Sequence, residues 1–248
     1  MSAPDLVWML AGDPFPPLSR AWGEGSDAPG LLAAGGELSV DSLVQAYERG
    51  IFPWFNPGQP ILWWSPDPRM VLRVQDFRIH RSFKKALQRF TANPRCEIRV
   101  NTNFVGVIQA CAQMQRPTQR GTWIVPPMVD AYIAFHEAGY AHSFETWMDG
   151  KMVAGLYFVS VGRAVFGESM FTTVTDGSKF ALAALIAACR AAGVAQLDCQ
   201  QVTSHLASLG ASPLPRAQFL ESLRAAKARE PLTWQFSPAD WRHLDLQG

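Results

Sequence analysis

Residues 141–171 read AHSFETWMDGKMVAGLYFVSVGRAVFGESMF, and this stretch decides the fold. Its segments 141–147, 152–160 and 164–171 are strand-like, and the short turns MDGK and VGR separate them. Strand-like segments joined by short turns predict an antiparallel meander. The third segment contains one carboxylate, Glu168, inside an otherwise apolar run. Because an unpaired buried carboxylate is costly, we expect Glu168 to face water, to be paired or to be functional.

The segments around the meander predict a mixed α+β chain. Helix 176–192 follows the meander and precedes a strand at 195–200, and a helix between two strands implies a crossover with parallel pairing. Further predicted elements are helix 39–49, strand 70–74, helix 81–90, strand 96–100, helix 103–115, helix 126–138 and helix 216–228.

The first third of the chain is expected to be less regular. The opening forty residues are rich in Pro and Gly, and five prolines within residues 51–70 exclude a long helix there. We interpret residues 51–70 as a rigid aromatic connector. We therefore predict a small N-terminal domain at residues 1–67 and a larger domain at residues 68–248.

Composition limits the functional classes. The 248 residues are 48% hydrophobic, which is enough for a sizeable core. The four cysteines lack zinc-ligand or C-x-x-C spacing, so we expect no metal, no disulfide framework and a reducing compartment. The N-terminus does not resemble a signal peptide, and the longest apolar run, 180–189, is too short to span a membrane. These features predict a cytoplasmic protein with no membrane contact.

The net charge of +1 conceals a basic segment at residues 69–99. This segment contains nine basic side chains and only two acidic ones. Such a cluster can attract a polyanion such as RNA. It can equally be the solvated face of a helix, and the sequence pattern alone leaves both interpretations open.

Two-residue periodicity places candidate site residues on two neighbouring strands. Phe166, Glu168 and Met170 are predicted to share one face, as are Asp198 and Gln200 on the strand after the crossover helix. If these faces agree, two carboxylates and an amide converge where the strands end. Such a group suits proton transfer, because proximity and burial separate carboxylate pKa values. The alternative is a structural hydrogen-bond network between the strands.

Several motifs resemble one known family. They occur in the order GLLAAGGELS, RGIFPWF, ILWWSPDPR, GTWI, AYIAFHEAGYAHSFETW, FGESMF, LDCQ and HLASLGA. This set is similar to that of the leucyl/phenylalanyl-tRNA–protein transferases. The resemblance implies a small N-terminal domain and a GNAT-like acyltransferase domain, in which the last meander strand and the strand after the crossover helix separate to admit the acyl donor.

The resemblance also implies the reaction. Leu-tRNA or Phe-tRNA, less readily Met-tRNA, would donate its aminoacyl group to the N-terminal α-amine of proteins that begin with Arg or Lys, which marks them for degradation. No metal or cofactor is implied, because the aminoacyl ester is already activated.

Functional residues are assigned from the matching motifs. Asp198 and Gln200 match a proton relay, in which Gln200 also contacts the acceptor amine, and Glu168 matches an acid at the acceptor end.

The aromatics that match the surroundings of the terminal adenosine are Trp54, Trp123 and Tyr132. The residues that match a pocket for the donor side chain are Leu156, Phe166, Leu182 and Leu185. By their residue types alone, these aromatic and aliphatic side chains could equally be ordinary core residues. The basic segment supplies Arg81, Lys84 and Lys85 as candidate tRNA contacts.

The AGLYF run departs from the family pattern. Ala154 and Phe158 stand where the family usually has glycine. The larger side chains could alter the donor pocket, although neither is one of the proposed relay residues.

Three other functions match parts of the sequence. The run RAAGVA at 190–195 matches the pyrophosphate loop of acetyl-CoA-dependent acetyltransferases, but it ends a predicted helix instead of opening one. A cysteine hydrolase could use Cys199 with His136, His142 or His205, but periodicity turns Cys199 away from Asp198. A non-catalytic RNA-binding adaptor would use the basic segment, but it would leave the convergent acids without a role.

Overall fold

In the part of the chain that the structure describes, two β-sheets organise the fold, a small one near the N-terminus and a large one with strands between residues 69 and 214. This computed structural model describes residues 5–114, 124–244 and 246. The mixed α+β class predicted from the sequence is confirmed. The predicted boundary at residues 67 and 68 lies between the last strand of the small sheet and the first strand of the large one.

The small sheet corrects the expectation that the first forty residues and the aromatic connector are irregular. Its strands are β1 (Val7–Met9), β2 (Leu31–Gly35), β3 (Phe52–Pro53) and β4 (Leu62–Trp64), in the spatial order β1-β2-β4-β3. The strands are two to five residues long, so their sequences carry almost no periodic signal. They form because partners distant in the sequence complete the hydrogen-bond ladder and bury side chains such as Trp63.

Helix α1 (Val40–Glu48) forms as predicted. The Ser39 side chain accepts a hydrogen bond from the Ser42 amide at 3.2 Å, which satisfies one of the free donors at the helix start. Gly50 follows the helix with a φ of +72°, a conformation that glycine adopts without strain. The helix buries Tyr47 completely.

The large sheet contains the predicted meander and crossover. Its strands are β5 (Arg69–Arg73), β6 (Cys96–Val100), β7 (Ala141–Met148), β8 (Lys151–Val161), β9 (Ala164–Thr172), β10 (Gln196–Gln200) and β11 (Ser212–Leu214). Their spatial order is β11-β5-β10-β9-β8-β7-β6. Strands β7, β8 and β9 pair antiparallel, and β10 pairs parallel to β9, as predicted.

Helices cover both faces of the large sheet. They are α2 (Arg81–Ala92), α3 (Phe104–Gln113), α4 (Pro126–Glu137), α5 (Gly177–Ala191), α6 (Ser204–Ser208) and α7 (Arg216–Lys227). On one face, buried side chains of α2 and α5 pack with residues of the C-terminal segment. On the other face, α1, α3, α4 and α7 pack together with the small sheet.

A β-bulge at Glu168 overturns one prediction about side-chain direction. Tyr157 pairs with Ser169 and Phe158 pairs with Gly167, so Glu168 is an extra residue in β9. An extra residue reverses the alternation of side chains beyond it. Phe166 therefore packs on the face covered by α1 and α4, whereas Met170 packs on the α5 face. The prediction that Phe166 and Met170 share a face is wrong.

A second bulge lies in β10, opposite β5. Asp198 pairs with Val71 and Gln200 pairs with Met70, which leaves Cys199 as the extra residue. Asp198 and Gln200 consequently border different cavities, so the prediction that they share one face is wrong. Gln200 adopts a left-handed backbone conformation, with a φ of +62°. Strands β9 and β10 pair only at two positions, the second being Asp198 with Phe166. Beyond that pair no further register joins them, and a gap opens between the two strands.

Candidate active site

A cavity of about 590 Å³ borders the gap between β9 and β10. Its apolar wall includes Leu72, Leu156, Met170, Leu182, Leu185 and Leu197. Its polar residues include Glu168, Gln200 and His205. A mainly apolar cavity with a few converging polar groups is typical of a small-molecule site, and its size suits one large side chain with adjacent atoms.

Glu168 is held by uncharged hydrogen-bond donors. The Tyr47 hydroxyl donates to its Oε1 at 2.6 Å, and the Tyr132 hydroxyl lies 3.4 Å from its Oε2. The two tyrosine hydroxyls also hydrogen-bond to each other. The Gln200 Nε2 donates to Glu168 Oε1 at 2.8 Å, across the gap between the strands. Glu168, the extra residue of the β9 bulge, is thus hydrogen-bonded to Gln200, the residue with the left-handed conformation at the β10 bulge.

The environment of Glu168 disfavours its charge. Burial raises the pKa of the Glu168 carboxyl from 4.5 to about 8. The Tyr47 hydrogen bond acts in the opposite direction, and the nearby Asp198 charge raises the pKa further. Near neutral pH this carboxyl can therefore hold or release a proton, which is the property required of an acid or base at a reaction site.

Asp198 has a different partner. Its two oxygens accept hydrogen bonds from Nε and Nη2 of Arg69 at 2.8 and 2.6 Å. Both side chains are almost completely buried, with 1% and 2% of their surface exposed. Arg69 belongs to the basic segment of the sequence, but its charge is neutralised inside the protein and does not contribute to a surface patch.

Cys199 does not have the environment of a nucleophile. Burial, with a contribution from the Asp198 charge, raises the pKa of its thiol to about 12. The thiol donates a weak hydrogen bond to the Leu197 carbonyl, at 3.9 Å. Because the thiolate is the reactive form, this environment argues against a cysteine hydrolase.

The predicted pocket residues separate into two groups. Leu156, Leu182 and Leu185 line the cavity together. Phe166, only 1% exposed, lies on the opposite face and borders a second cavity of about 270 Å³. The bulge at Glu168 explains this separation, because it turns Phe166 away from the leucines.

The predicted adenosine-binding aromatics are also divided. Tyr132 is completely buried, and its hydroxyl is directed to Tyr47 and Glu168, so its ring has no exposed face for a base to stack on. Trp54 is half-buried and contacts Trp64 edge to face, with ring centres 5.4 Å apart. Trp123 lies outside the described residues.

The predicted basic contacts lie on helix α2. Arg81 and Lys85 are exposed, Lys84 is half-buried, and the opposite side of the helix packs into the core. The start of α2 adjoins α6, because a ring nitrogen of His80 lies 3.1 Å from the Ser208 carbonyl. Since α6 borders the cavity, the basic helix begins beside the cavity mouth.

Two residues of the site are not singled out by the sequence patterns. Tyr47 belongs to the apolar stripe of α1, and Arg69 is one cation among the nine of the basic segment. Tyr47 lies two residues before the motif RGIFPWF, and Arg69 is the last residue of ILWWSPDPR. These family motifs were the signal that could have identified the two residues. Their partners lie 121 and 129 residues away in the sequence, so no local pattern could identify them.

The two departures from the family pattern do not line the cavity. Phe158 is buried against Trp234, with ring centres 4.8 Å apart, and also lies near His142. Ala154 is buried in β8 near Gly177 at the start of α5. Neither is among the cavity-lining residues, so the structure assigns both to packing.

Comparison with known families identifies the class of protein. The family described as leucyl/phenylalanyl-tRNA protein transferase matches residues 71–224, and the corresponding N-terminal domain matches residues 36–67. The chain belongs to this family, and the protein is an aminoacyltransferase.

Individual relatives agree over almost the full length. A leucyl/phenylalanyl-tRNA–protein transferase of Polaromonas sp. (strain JS666) is 56% identical over 96% of this chain and 94% of its own. The protein of the same name from Albidiferax ferrireducens is 55% identical over 97% of this chain and 95% of its own. That from Leptothrix cholodnii is 55% identical over 95% and 92%, respectively.

Membrane-spanning and metal-binding features are both missing from the described ranges. None of the helices there is long and apolar enough to cross a membrane. In the same ranges, no three His, Cys, Asp or Glu side chains are grouped so that they could hold a metal ion.

Proposed function

We propose that this protein transfers leucine or phenylalanine, and less readily methionine, from tRNA to the N-terminal α-amine of proteins that begin with Arg or Lys. The transfer forms a peptide bond and marks the acceptor for degradation. The observation that carries the proposal is the apolar cavity bordered by Glu168 and Gln200 in a chain of this family. The cavity suits the aliphatic or aromatic side chain of the donor, and the polar pair suits the amine.

The donor is proposed to enter the gap between β9 and β10, the position implied by a GNAT-like arrangement. Leu156, Leu182 and Leu185 would surround the aminoacyl side chain. The exposed cations Arg81 and Lys85, on the helix that begins beside the cavity mouth, would contact the tRNA backbone.

Gln200 and Glu168 are proposed to act on the acceptor. Because Gln200 Nε2 donates to Glu168, the Gln200 amide oxygen is the atom left to accept an N–H from the incoming amine. A cationic N-terminal Arg or Lys beside Glu168 favours the ionised form of this carboxyl, and the resulting carboxylate can pair with that charge. The raised pKa of Glu168, about 8, is close to that of a free α-amine, also about 8, so a proton can pass between them at little cost.

The bond changes are those of aminolysis. The α-amine nitrogen attacks the ester carbonyl, the new C–N bond forms, and the C–O bond to the ribose of the terminal adenosine breaks. The amine loses one proton, and the departing ribose oxygen gains one. Orienting the amine against the carbonyl can supply much of the rate, because the ester is already activated.

Transfer of radiolabelled leucine and phenylalanine from charged tRNA tests this function. We expect label on a peptide that begins with Arg or Lys, and none on the same peptide with an acetylated N-terminus. Absence of transfer from both donors would refute the proposal.

A further inference from the structure

Arg69 lies at the centre of a buried cluster that joins three parts of the fold. Besides its two bonds to Asp198, its Nη1 donates to the Gly50 carbonyl at 3.1 Å. The guanidinium carbon lies 4.8 Å from the ring centre of Phe52 and 4.8 Å from that of Phe219. The position of the guanidinium is therefore fixed by contacts with β10, with α7 and with the segment that follows α1.

Asp198, held by Arg69, in turn holds the backbone of Gln200. Its Oδ1 accepts a second hydrogen bond, at 2.8 Å, from the backbone N–H of Gln200. Gln200 has the left-handed conformation that residues other than glycine rarely adopt, and it lies at the bulge where the ladder with β5 is irregular. A side-chain acceptor two residues earlier stabilises such a turn.

We propose that Arg69 is a positioning residue for aminoacyl transfer. It fixes the Asp198 carboxylate, which fixes the backbone of Gln200, so that the Gln200 amide faces Glu168 across the gap. This inference rests on the proposed function, in which Gln200 meets the acceptor amine. It also gives Asp198 a new role, because its oxygens hold Arg69 and the Gln200 backbone and act on the amine only through Gln200.

Substitution of Arg69 in the full-length protein tests this role through the rate of the chemical step. Because Arg69 does not line the donor cavity, we expect Arg69→Met to lower single-turnover transfer about 100-fold, the effect of a small misplacement, with both KM values nearly unchanged. Arg69→Lys keeps the charge, and we expect it to restore about tenfold of that loss. A loss confined to the KM for tRNA or for the acceptor would overturn the proposal.

Arg190→Met is the matched control. Three nitrogens of Arg190 also donate hydrogen bonds within the protein: Nε and Nη2 to the Val74 carbonyl, and Nη1 to the His243 carbonyl. Arg190 lies outside the site. We expect its transfer rate to stay close to that of the wild type. An equal loss in Arg190→Met and Arg69→Met would reduce the Arg69 effect to general destabilisation and overturn the proposal.

A paired substitution separates positioning from direct action by Asp198. Asp198→Asn alone places an amide NH₂ group against the donors of Arg69. Combining it with Arg69→Met removes those donors and the buried charge, while the remaining side-chain oxygen at position 198 can still accept from the Gln200 N–H. We expect the double variant to be about tenfold faster than Asp198→Asn alone, because coupled neighbours deviate strongly from additivity. Equal rates would mean that the Asp198 charge acts on the amine, which overturns the proposal.

Hydrogen exchange at the Gln200 amide gives a readout independent of activity. We expect this amide to be protected in the wild type and in Arg69→Lys, and to exchange faster in Arg69→Met. If Arg69→Met does not fold, Arg69→Lys and the double variant carry the test. Unchanged protection in a folded Arg69→Met protein would refute the positioning role even if the wild type transfers leucine. If the wild type transfers nothing, the proposed function fails, and the exchange measurement still decides whether Arg69 fixes Gln200.

Discussion

The two sides of the gap between β9 and β10 each present a carboxylate, but the partners of the two carboxylates differ in kind. On the β10 side, Asp198 is paired with the cation of Arg69 at 2.6 Å. On the β9 side, Glu168 accepts hydrogen bonds from hydroxyl and amide groups, and burial raises its pKa to about 8. A carboxylate bonded to a fixed cation maintains geometry. A carboxylate among neutral donors can exchange a proton or accept a cationic substrate.

Asp198→Ala should have the largest effect, because it removes the partner of a buried cation. We expect the free energy of unfolding to fall by about 3–5 kcal/mol, measured by urea denaturation. Glu97→Ala is the control, since Glu97 pairs with Arg99 at the surface. We expect that exposed pair to contribute at most about 1 kcal/mol. Similar losses in the two variants would mean that Arg69 finds another partner.

Glu168→Gln should affect the acceptor more than the fold. The amide keeps an oxygen that can accept from Tyr47, but it cannot pair with a cationic N-terminus. We expect the KM for an acceptor beginning with Arg to rise about 10- to 100-fold, which corresponds to a charge-assisted hydrogen bond of about 1.5–3 kcal/mol. A loss confined to the single-turnover rate at saturating acceptor would instead assign Glu168 to the support of Gln200.

Glu168→Gln also tests whether Glu168 holds a proton in the folded protein. Because the pKa of Glu168 is higher in the folded protein (about 8) than its ordinary value of 4.5, the folded state binds this proton more tightly. Relative to Glu168→Gln, the free energy of unfolding of the wild type should therefore fall as pH rises from about 4.5 to about 8. Urea denaturation of both proteins across this pH range measures the difference in their free energies of unfolding. Parallel pH profiles would show that Glu168 is ionised at an ordinary pKa.

Tyr47→Phe should have a smaller effect, a shift in the pKa of Glu168. The Tyr47 hydrogen bond lowers the pKa of Glu168, so its removal should raise that pKa further and move the midpoint of the pH–rate profile upward. We expect a stability loss of about 1 kcal/mol. Tyr140→Phe is the control, because Tyr140 stacks on Phe135 within the same core cluster. An unmoved midpoint would separate Glu168 from the titration that controls the rate.

Arg81→Ala combined with Lys85→Ala should leave both carboxylates and the chemical step unchanged. We expect weaker binding of all tRNAs and a salt dependence reduced by about one unit for each lost phosphate contact. Arg224→Ala with Lys227→Ala, on α7, removes two cations elsewhere and serves as the control. An unchanged salt slope would make the exposed side of α2 a solvated surface only.

Local patterns were sufficient for much of the fold. The meander, the crossover helix and helix α1 were predicted because the periodicity that identifies them acts over a few residues. The small sheet was missed because its strands are very short and are completed by distant partners. The chemical groups of the site were recognised through the FGESMF and LDCQ motifs, whereas their geometry was not. A single extra residue at Glu168 reversed the face of Phe166, and the burial of Arg69 depends on Asp198, 129 residues away.

The hydroxyl of Tyr47 and the carbonyl of Gly50 both come from the part of the chain that precedes β5, and they contact Glu168 and Arg69, respectively. The Tyr47–Glu168 contact therefore joins the two matched family segments inside the site, and the Gly50–Arg69 contact joins the first of them to β5. A chimaera that joins residues 36–67 of one relative to the remainder of another should work only if both parents keep this tyrosine and the same backbone path after it. Fragment complementation from separately expressed halves should likewise restore activity only when the halves associate tightly enough to rebuild both contacts.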